Sequence, residues 1–383
     1  MKIGFLIQHF PPHLGGAECQ ARDLAEALVR AGHGVEVATT RGDRAQLARE
    51  MRGGVAIRRC ISPAPRWLKL PWNLVAGFLL GWRLAGNCEL LHGHCLSPFV
   101  LGGLLAAHCR GRPVVLKICS VGPMGDVARL RHPGLLGVPW RIASSADGFV
   151  VPTRAVGGEL QAAGISPAII HRVPSLFPQA VSPPTEIRAE DRQDVREVLF
   201  VGRLHPQKGL HTLMKAWSAL GGAAGWRWVI VGDGPMRQEI GDWIVREGLQ
   251  SSVVLAGYQP DPAPWFQRAD VFVFPSHSES FGNVLVEALA HGCHVLTTEV
   301  GVVQDWPDHA PVVRLPVEQP AAWERALRDW AEMSSGERER RCRLARSFAA
   351  EQHHPDAVLS CLQNLYASML PVGDGRHGAG GSC

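Results

Sequence analysis

Lys2-Ile3-Gly4-Phe5-Leu6-Ile7, followed by Gly15-Gly16 and then Ala17, Ala21, Leu24, Ala25 and Leu28, decides the fold class. A near-continuous apolar run suits a parallel strand covered on both faces, and apolar residues three and four apart suit a helix. Gly32 sits where a helix C-cap belongs, and Val35-Glu36-Val37-Ala38-Thr39 resumes as a strand. Strand, glycine turn, helix and strand make a βαβ unit, which predicts a parallel sheet with a right-handed crossover.

Outward from that unit, strands are predicted at Leu90–His92, Val114–Ile118 and Gly148–Val151. Pro174, Pro178, Pro183 and Pro184 then crowd a charged interval that reads as a linker. A second series follows, with strands predicted at Val198–Val201, Trp228–Val231, Val253–Ala256, Val271–Phe274 and Val295–Thr298. The expected fold class is α/β, with two Rossmann-like, doubly wound domains at 1–180 and 197–370. Between them runs the linker at 181–196, and a Gly-rich, disordered tail is expected at 371–383. Two such sheets facing each other predict a cleft lined by strand C-termini and helix N-termini. The 383 residues are ample for two cores, and 46% hydrophobic with 19% charged residues excludes a disordered chain.

No charged leader with a long apolar core precedes the first strand, and no run approaches the roughly 20 apolar residues of a spanning helix. Ten cysteines without a CxxC pair suit reduced thiols. A cytoplasmic protein is expected. His92-Gly93-His94-Cys95 admits a metal reading, but no second cluster supplies further ligands, so no metal is expected. Residues 1–180 carry 20 Lys and Arg against 10 Asp and Glu, while residues 181–383 carry 19 against 25. The basic half is expected to meet something anionic. No nucleic-acid module accompanies that charge, so nucleic acid is not an expected partner.

Four motifs lie at strand-to-helix turns. Gly15-Gly16-Ala17-Glu18 offers close backbone approach and free N–H groups, and suits a structural turn equally. Val201-Gly202-Arg203-Leu204-His205-Pro206-Gln207-Lys208-Gly209 puts two cations ahead of a helix, a pattern suited to a diphosphate. Val231-Gly232-Asp233-Gly234-Pro235 suits the lining of a nucleotide pocket and is explained equally well by turn chemistry, so it is given no catalytic role. The stretch from Pro275 to Glu287 places Glu279 in a loop and Glu287 one turn inside a helix, with Phe281-Gly282 at its opening. Glu287 stands among Val284, Leu285, Ala288 and Leu289, an unusual setting for a carboxylate without a partner.

Taken in order, Gly-Gly-Ala-Glu, Val-Gly-Arg-Leu-x-x-x-Lys-Gly and Glu-x7-Glu resemble the motifs of the family 4 glycosyltransferases, over residues 1–365. The resemblance implies a GT-B fold, with an acceptor-side first domain, a donor-binding second domain and C-terminal helices packing back toward the first. It implies retention of anomeric configuration and no required metal or cofactor. Arg203, Lys208 and Glu279 would carry catalysis. Gly16, Phe281, Gly282, Asn283, Val284 and Glu287 would bind the nucleotide-sugar donor, with Glu287 on the ribose. A histidine usual shortly after the strand equivalent to Val114–Ile118 is replaced here by Cys119, which with Ser120 and Asp126 would meet the acceptor. Gly301-Val302 and Ser175-Leu176 also depart from the family's glycine pair and Asn-Gly. A second reading, motivated by Cys119, is a non-catalytic relative that binds donor beside an active transferase. A nicotinamide enzyme is disfavoured because the first turn lacks GxGxxG.

The implied acceptor is a saccharide or lipid-linked saccharide of envelope, capsular, exopolysaccharide or glycolipid synthesis. Trp67, Leu68, Leu70, Trp72, Leu74, Val75, Phe78, Leu79, Leu80 and Trp82, flanked by Arg66, Lys69 and Arg83, suit either an interfacial element or a buried helix. The basic half favours contact with an anionic membrane surface, on its inner face.

Overall fold

The computed structural model describes residues 1–12, 15–43, 46–61, 66–122, 125–131, 137–176, 196–221 and 225–370. The chain divides into two compact units, one of Met1–Phe177 with Pro355–Cys383, the other of Pro178–His354. Of the expected linker only Arg196 falls among the described residues, and the expected tail lies outside them.

In the first unit eight strands are β1 (Lys2–Ile7), β2 (Gly34–Thr40), β3 (Arg49–Arg52), β4 (Val55–Cys60), β5 (Leu90–His94), β6 (Val114–Lys117), β7 (Gly148–Val151) and β8 (Ile170–Arg172). Their order is β3-β4-β2-β1-β5-β6-β7-β8, parallel throughout except the β3–β4 pair. Side chains alternate across each strand, so β1 serves two cores. Ile3, Phe5 and Ile7 face the core built with Ala21, Leu24 and Leu28 of the helix Gly16–Arg30. Leu6 faces the opposite core, with Leu84, Phe99, Val100 and Leu104 of the helices Arg66–Asn87 and Pro98–Cys109.

The last helix, Pro355–Met369, buries Val358, Leu362, Leu365 and Tyr366 in the β1 core of this unit. Full burial of each such side chain stabilises by about 1.5–3 kcal/mol. The expected second-domain boundary at 370 is therefore corrected to His354, and the helix beyond it packs with the N-terminal sheet.

In the second unit the strands are β9 (Arg196–Val201), β10 (Trp226–Val231), β11 (Val253–Gly257), β12 (Val271–Phe274), β13 (His294–Thr297) and β14 (Val312–Arg314). The order β11-β10-β9-β12-β13-β14, all parallel, is a doubly wound sheet. The order reverses between β9 and β12, where such sheets open a crevice at the strand C-termini. Trp217, Trp228, Trp323, Leu210 and Ile230 fill the core beneath.

Candidate functional site

After β9 the chain turns through Gly202 and exposed Arg203, then plunges Leu204 fully into the core. The Leu204 N–H donates to the Asp233 carbonyl at 2.9 Å, and the Met236 N–H donates to the Leu204 carbonyl at 3.0 Å. The Gly-Asp-Gly turn after β10 thus braces the cationic loop. A short 3-10 turn, Pro206–Lys208, follows, with the His205 ring nitrogen accepting from the Gln207 N–H at 3.3 Å.

The loop after β12 meets this turn directly. Its His277 N–H donates to the Gln207 carbonyl at 2.8 Å, and Gln207 Nε2 donates to the Ser278 carbonyl at 2.8 Å. Gly209, at φ 66°, lies so close that a Cβ there would run into the Pro275 carbonyl oxygen. Only glycine satisfies both the left-handed backbone and the approach.

Across this junction Lys208 Nζ bonds to Glu279 Oε1, with both side chains largely shielded from solvent. Ser276 Oγ donates to the same carboxylate oxygen at 2.8 Å, and Thr298 Oγ1 donates to the Ser276 carbonyl at 2.5 Å. Lys208 also lies 5.2 Å from the Phe274 ring centroid. Glu279 therefore holds one cation in a half-buried pair, whereas Arg203 makes no ion pair among the described residues and presents its charge to solvent.

Beyond Glu279 the helix Asn283–His291 begins at Gly282, at φ 91°, without a side-chain cap. Its first N–H groups carry the positive end of the helix dipole. Phe281 anchors this start: its carbonyl accepts from the Val302 N–H at 2.8 Å, and its ring meets His353 edge-on at 5.8 Å. His353 in turn accepts from Trp306 Nε1 at 3.1 Å, and burial pushes its pKa down to about 4. Glu287 stands half-buried one turn into the helix, where its carbonyl accepts from the His291 ring at 2.8 Å. The second unit so brings Lys208 and Glu279 into contact and sets Phe281, Gly282, Asn283 and Val284 at the adjacent helix start. Gln207, Ser276, Thr298 and His353 were missed. Their only signal in the sequence is polarity at strand ends, or, for His353, a histidine beside a helix break.

The remaining candidates belong to the first unit. Gly16 opens the helix Gly16–Arg30, whose cap Gly15 has no side-chain hydrogen bond. The Glu18 carboxylate folds back over Gly15, so this helix start already faces an acidic group of its own. Cys119 and Ser120 donate their backbone N–H groups to Asp126 Oδ2 at 2.9 and 3.2 Å. Asp126 Oδ1 accepts from Arg129 at 2.6 Å. Asp126 was expected to meet an acceptor, but it is fully buried and both oxygens are spent on its own loop, so it shapes that loop instead.

His92 and His94 are core residues, stacked at 4.2 Å, with His92 Nδ1 2.6 Å from the Tyr366 hydroxyl. Burial pushes His92 down to about 3 and His94 well below its ordinary value. Among the described residues no group of three or more His, Cys, Asp or Glu could hold a metal ion.

Residues 14–176 match the family model described as Glycosyltransferase Family 4, and residues 195–332 match that described as Glycosyl transferases group 1. An uncharacterised glycosyltransferase of Methanocaldococcus jannaschii is 26% identical over 81% of this chain and 83% of its own length. The 2-deoxystreptamine glucosyltransferase of Streptomyces kanamyceticus is 31% identical over 65% of each chain. The solved structure of Anabaena HepE in complex with UDP and glucose superposes with a TM-score of 0.78 at 19% identity, covering 96% of this chain and 100% of that one. At that identity the likeness shows a shared fold. The chain belongs to the family 4 glycosyltransferases and has their GT-B fold.

Proposed function

We propose that this glycosyltransferase moves a sugar, with retention of configuration and without a required metal, from a nucleotide diphosphate donor bound by its second unit. The observation that carries the reading is the junction of the β9 and β12 loops at the point where strand order reverses. There an exposed arginine, a lysine held by a carboxylate and a helix start without a side-chain cap lie on neighbouring loops. Arg203 and Lys208 would bind the diphosphate oxygens, and the Asn283 and Val284 N–H groups would add the helix dipole. Glu279 would reach a hydroxyl of the donor sugar, and Glu287 the ribose.

As the glycosidic carbon leaves its phosphate oxygen, negative charge grows on the nucleoside diphosphate. Fixed cations and a helix dipole stabilise that charge in the role a metal would otherwise fill. The acceptor oxygen forms the new bond on the same face, and its proton passes to the departing phosphate oxygen. UDP in the Anabaena structure makes UDP-sugars the first donors to test. The acceptor we assign is a saccharide or lipid-linked saccharide of envelope polysaccharide or glycolipid synthesis, met at the cytoplasmic face of a membrane; the basic first half supports this.

Nucleotide release from a panel of nucleotide sugars tests the reading. One donor should be turned over, and Arg203→Ala and Lys208→Ala should each lower turnover by about 10²–10³. Unchanged donor affinity in folded variants would refute the assignment. Donor binding without nucleotide release would instead support the non-catalytic reading that Cys119 motivates.

A further inference from the structure

The helix Arg66–Asn87 carries a stripe that the fold leaves uncovered. Trp72, Val75, Leu79 and Trp82 are 43%, 52%, 63% and 40% exposed, and their spacing of three, four and three residues aligns them on one face. Trp72 Nε1 donates at 2.6 Å to the carbonyl of Ile61, itself exposed. The side chains of Arg66 and Trp67 lie outside the described set. The helix is not free to roll this stripe inward. On its other face a Cβ at Gly77 would run into the Phe99 carbonyl, and one at Gly102 of the neighbouring helix into the Leu74 carbonyl. Backbone lies on backbone, and Ala76, Leu84 and Ala85 are buried in the core.

Charge decides what the stripe suits. From residue 51 to 125 the sequence has nine Lys and Arg and a single acid, Glu89. That carboxylate accepts from the Lys2 backbone N–H at 2.6 Å. Lys69 and Arg83 are exposed on the helix, and the Arg110 guanidinium lies 4.2 Å over the Trp82 ring. Tryptophan rings with cations beside them and no carboxylate among them match the boundary between anionic headgroups and acyl chains. No helix among the described residues is long and apolar enough to cross a membrane.

We propose that the outward face of Arg66–Asn87 docks on an anionic lipid surface. Trp72, Val75, Leu79 and Trp82 enter the headgroup boundary, and Lys69, Arg83 and Arg110 meet lipid phosphates. This names the face for the membrane contact in the functional reading, but it does not need that reading's chemistry, because docking is measured without donor.

The full chain is cosedimented at low salt with vesicles of phosphatidylglycerol and phosphatidylethanolamine, and with phosphatidylcholine vesicles alone. The parent should pellet with the anionic vesicles, and Val75→Glu with Leu79→Glu should weaken binding by about tenfold or more. Melting and nucleotide release on the same preparations separate a docking failure from a folding or catalytic one. Should that double variant melt early, Lys69→Glu with Arg83→Glu is expected to lose the anionic vesicles alone. Absence of binding by the parent, or equal binding by folded variants, overturns the proposal. So does a parent that ignores vesicles but forms a dimer which the variants abolish.

Discussion

Lys208 and Glu279 illustrate how a charge is kept ready without being left bare. The pair is half-buried, so Glu279 lowers the cost of holding the lysine there, and Ser276 fixes the carboxylate by a 2.8 Å hydrogen bond. A diphosphate must compete with Glu279 for the ammonium, and what it gains in affinity is reduced accordingly. Glu279→Gln removes that competition while keeping size and a polar end. Nucleoside diphosphate should then bind about tenfold more tightly by calorimetry, an effect of about 1.4 kcal/mol, while sugar transfer falls. If affinity and turnover both stay at the parent level, Glu279 has no part in the site.

At the scale of elements, the pairing of Arg66–Asn87 with Pro98–Cys109 rests on glycine rather than on interlocking side chains. Gly77→Val places a branched Cβ where the Phe99 carbonyl stands, and should cost about 1–3 kcal/mol of stability in denaturant titration. A stability equal to the parent's would show that the helices can separate freely. Elements also differ in how plainly they read. Ten strands were legible as apolar runs, since parallel strands covered on both faces are continuously apolar. β3, β4, β8 and β14 were not foreseen. β8 and β14 have three residues each, β3 is charged and exposed, and β4 alternates buried and half-buried residues at the sheet margin. The Gly53-Gly54 turn between β3 and β4 is a hairpin signal, but a short edge strand such as β3 buries too little to impose a pattern.

Over the whole molecule, buried histidines couple stability to pH. Desolvation holds His92 to about 3 and both His294 and His353 to about 4, from an ordinary 6.5. The unfolded chain takes up these protons as pH falls through about 6.5, whereas the folded chain stays neutral there. Stability is therefore complete above that pH and is lost on going down toward 4, at about 1.4 kcal/mol per pH unit for each group. His92 belongs to one unit and the other two to the second, so both units should melt earlier on acidification. Thermal midpoints that stay level from pH 7 to pH 4.5 would contradict this.

The sequence by itself determined the two parallel α/β series and the loops that carry Arg203, Lys208, Glu279 and the Phe281-Gly282 turn. These depend on local periodicity and on glycine positions, which any short window of chain displays. Tertiary structure alone decided that Lys208 meets Glu279, 71 residues away, and that Asp126 is consumed inside its own loop. Such contacts follow from strand order. β12 lies beside β9 and not beside its predecessor β11, and nothing in either segment records which neighbour the folded sheet supplies.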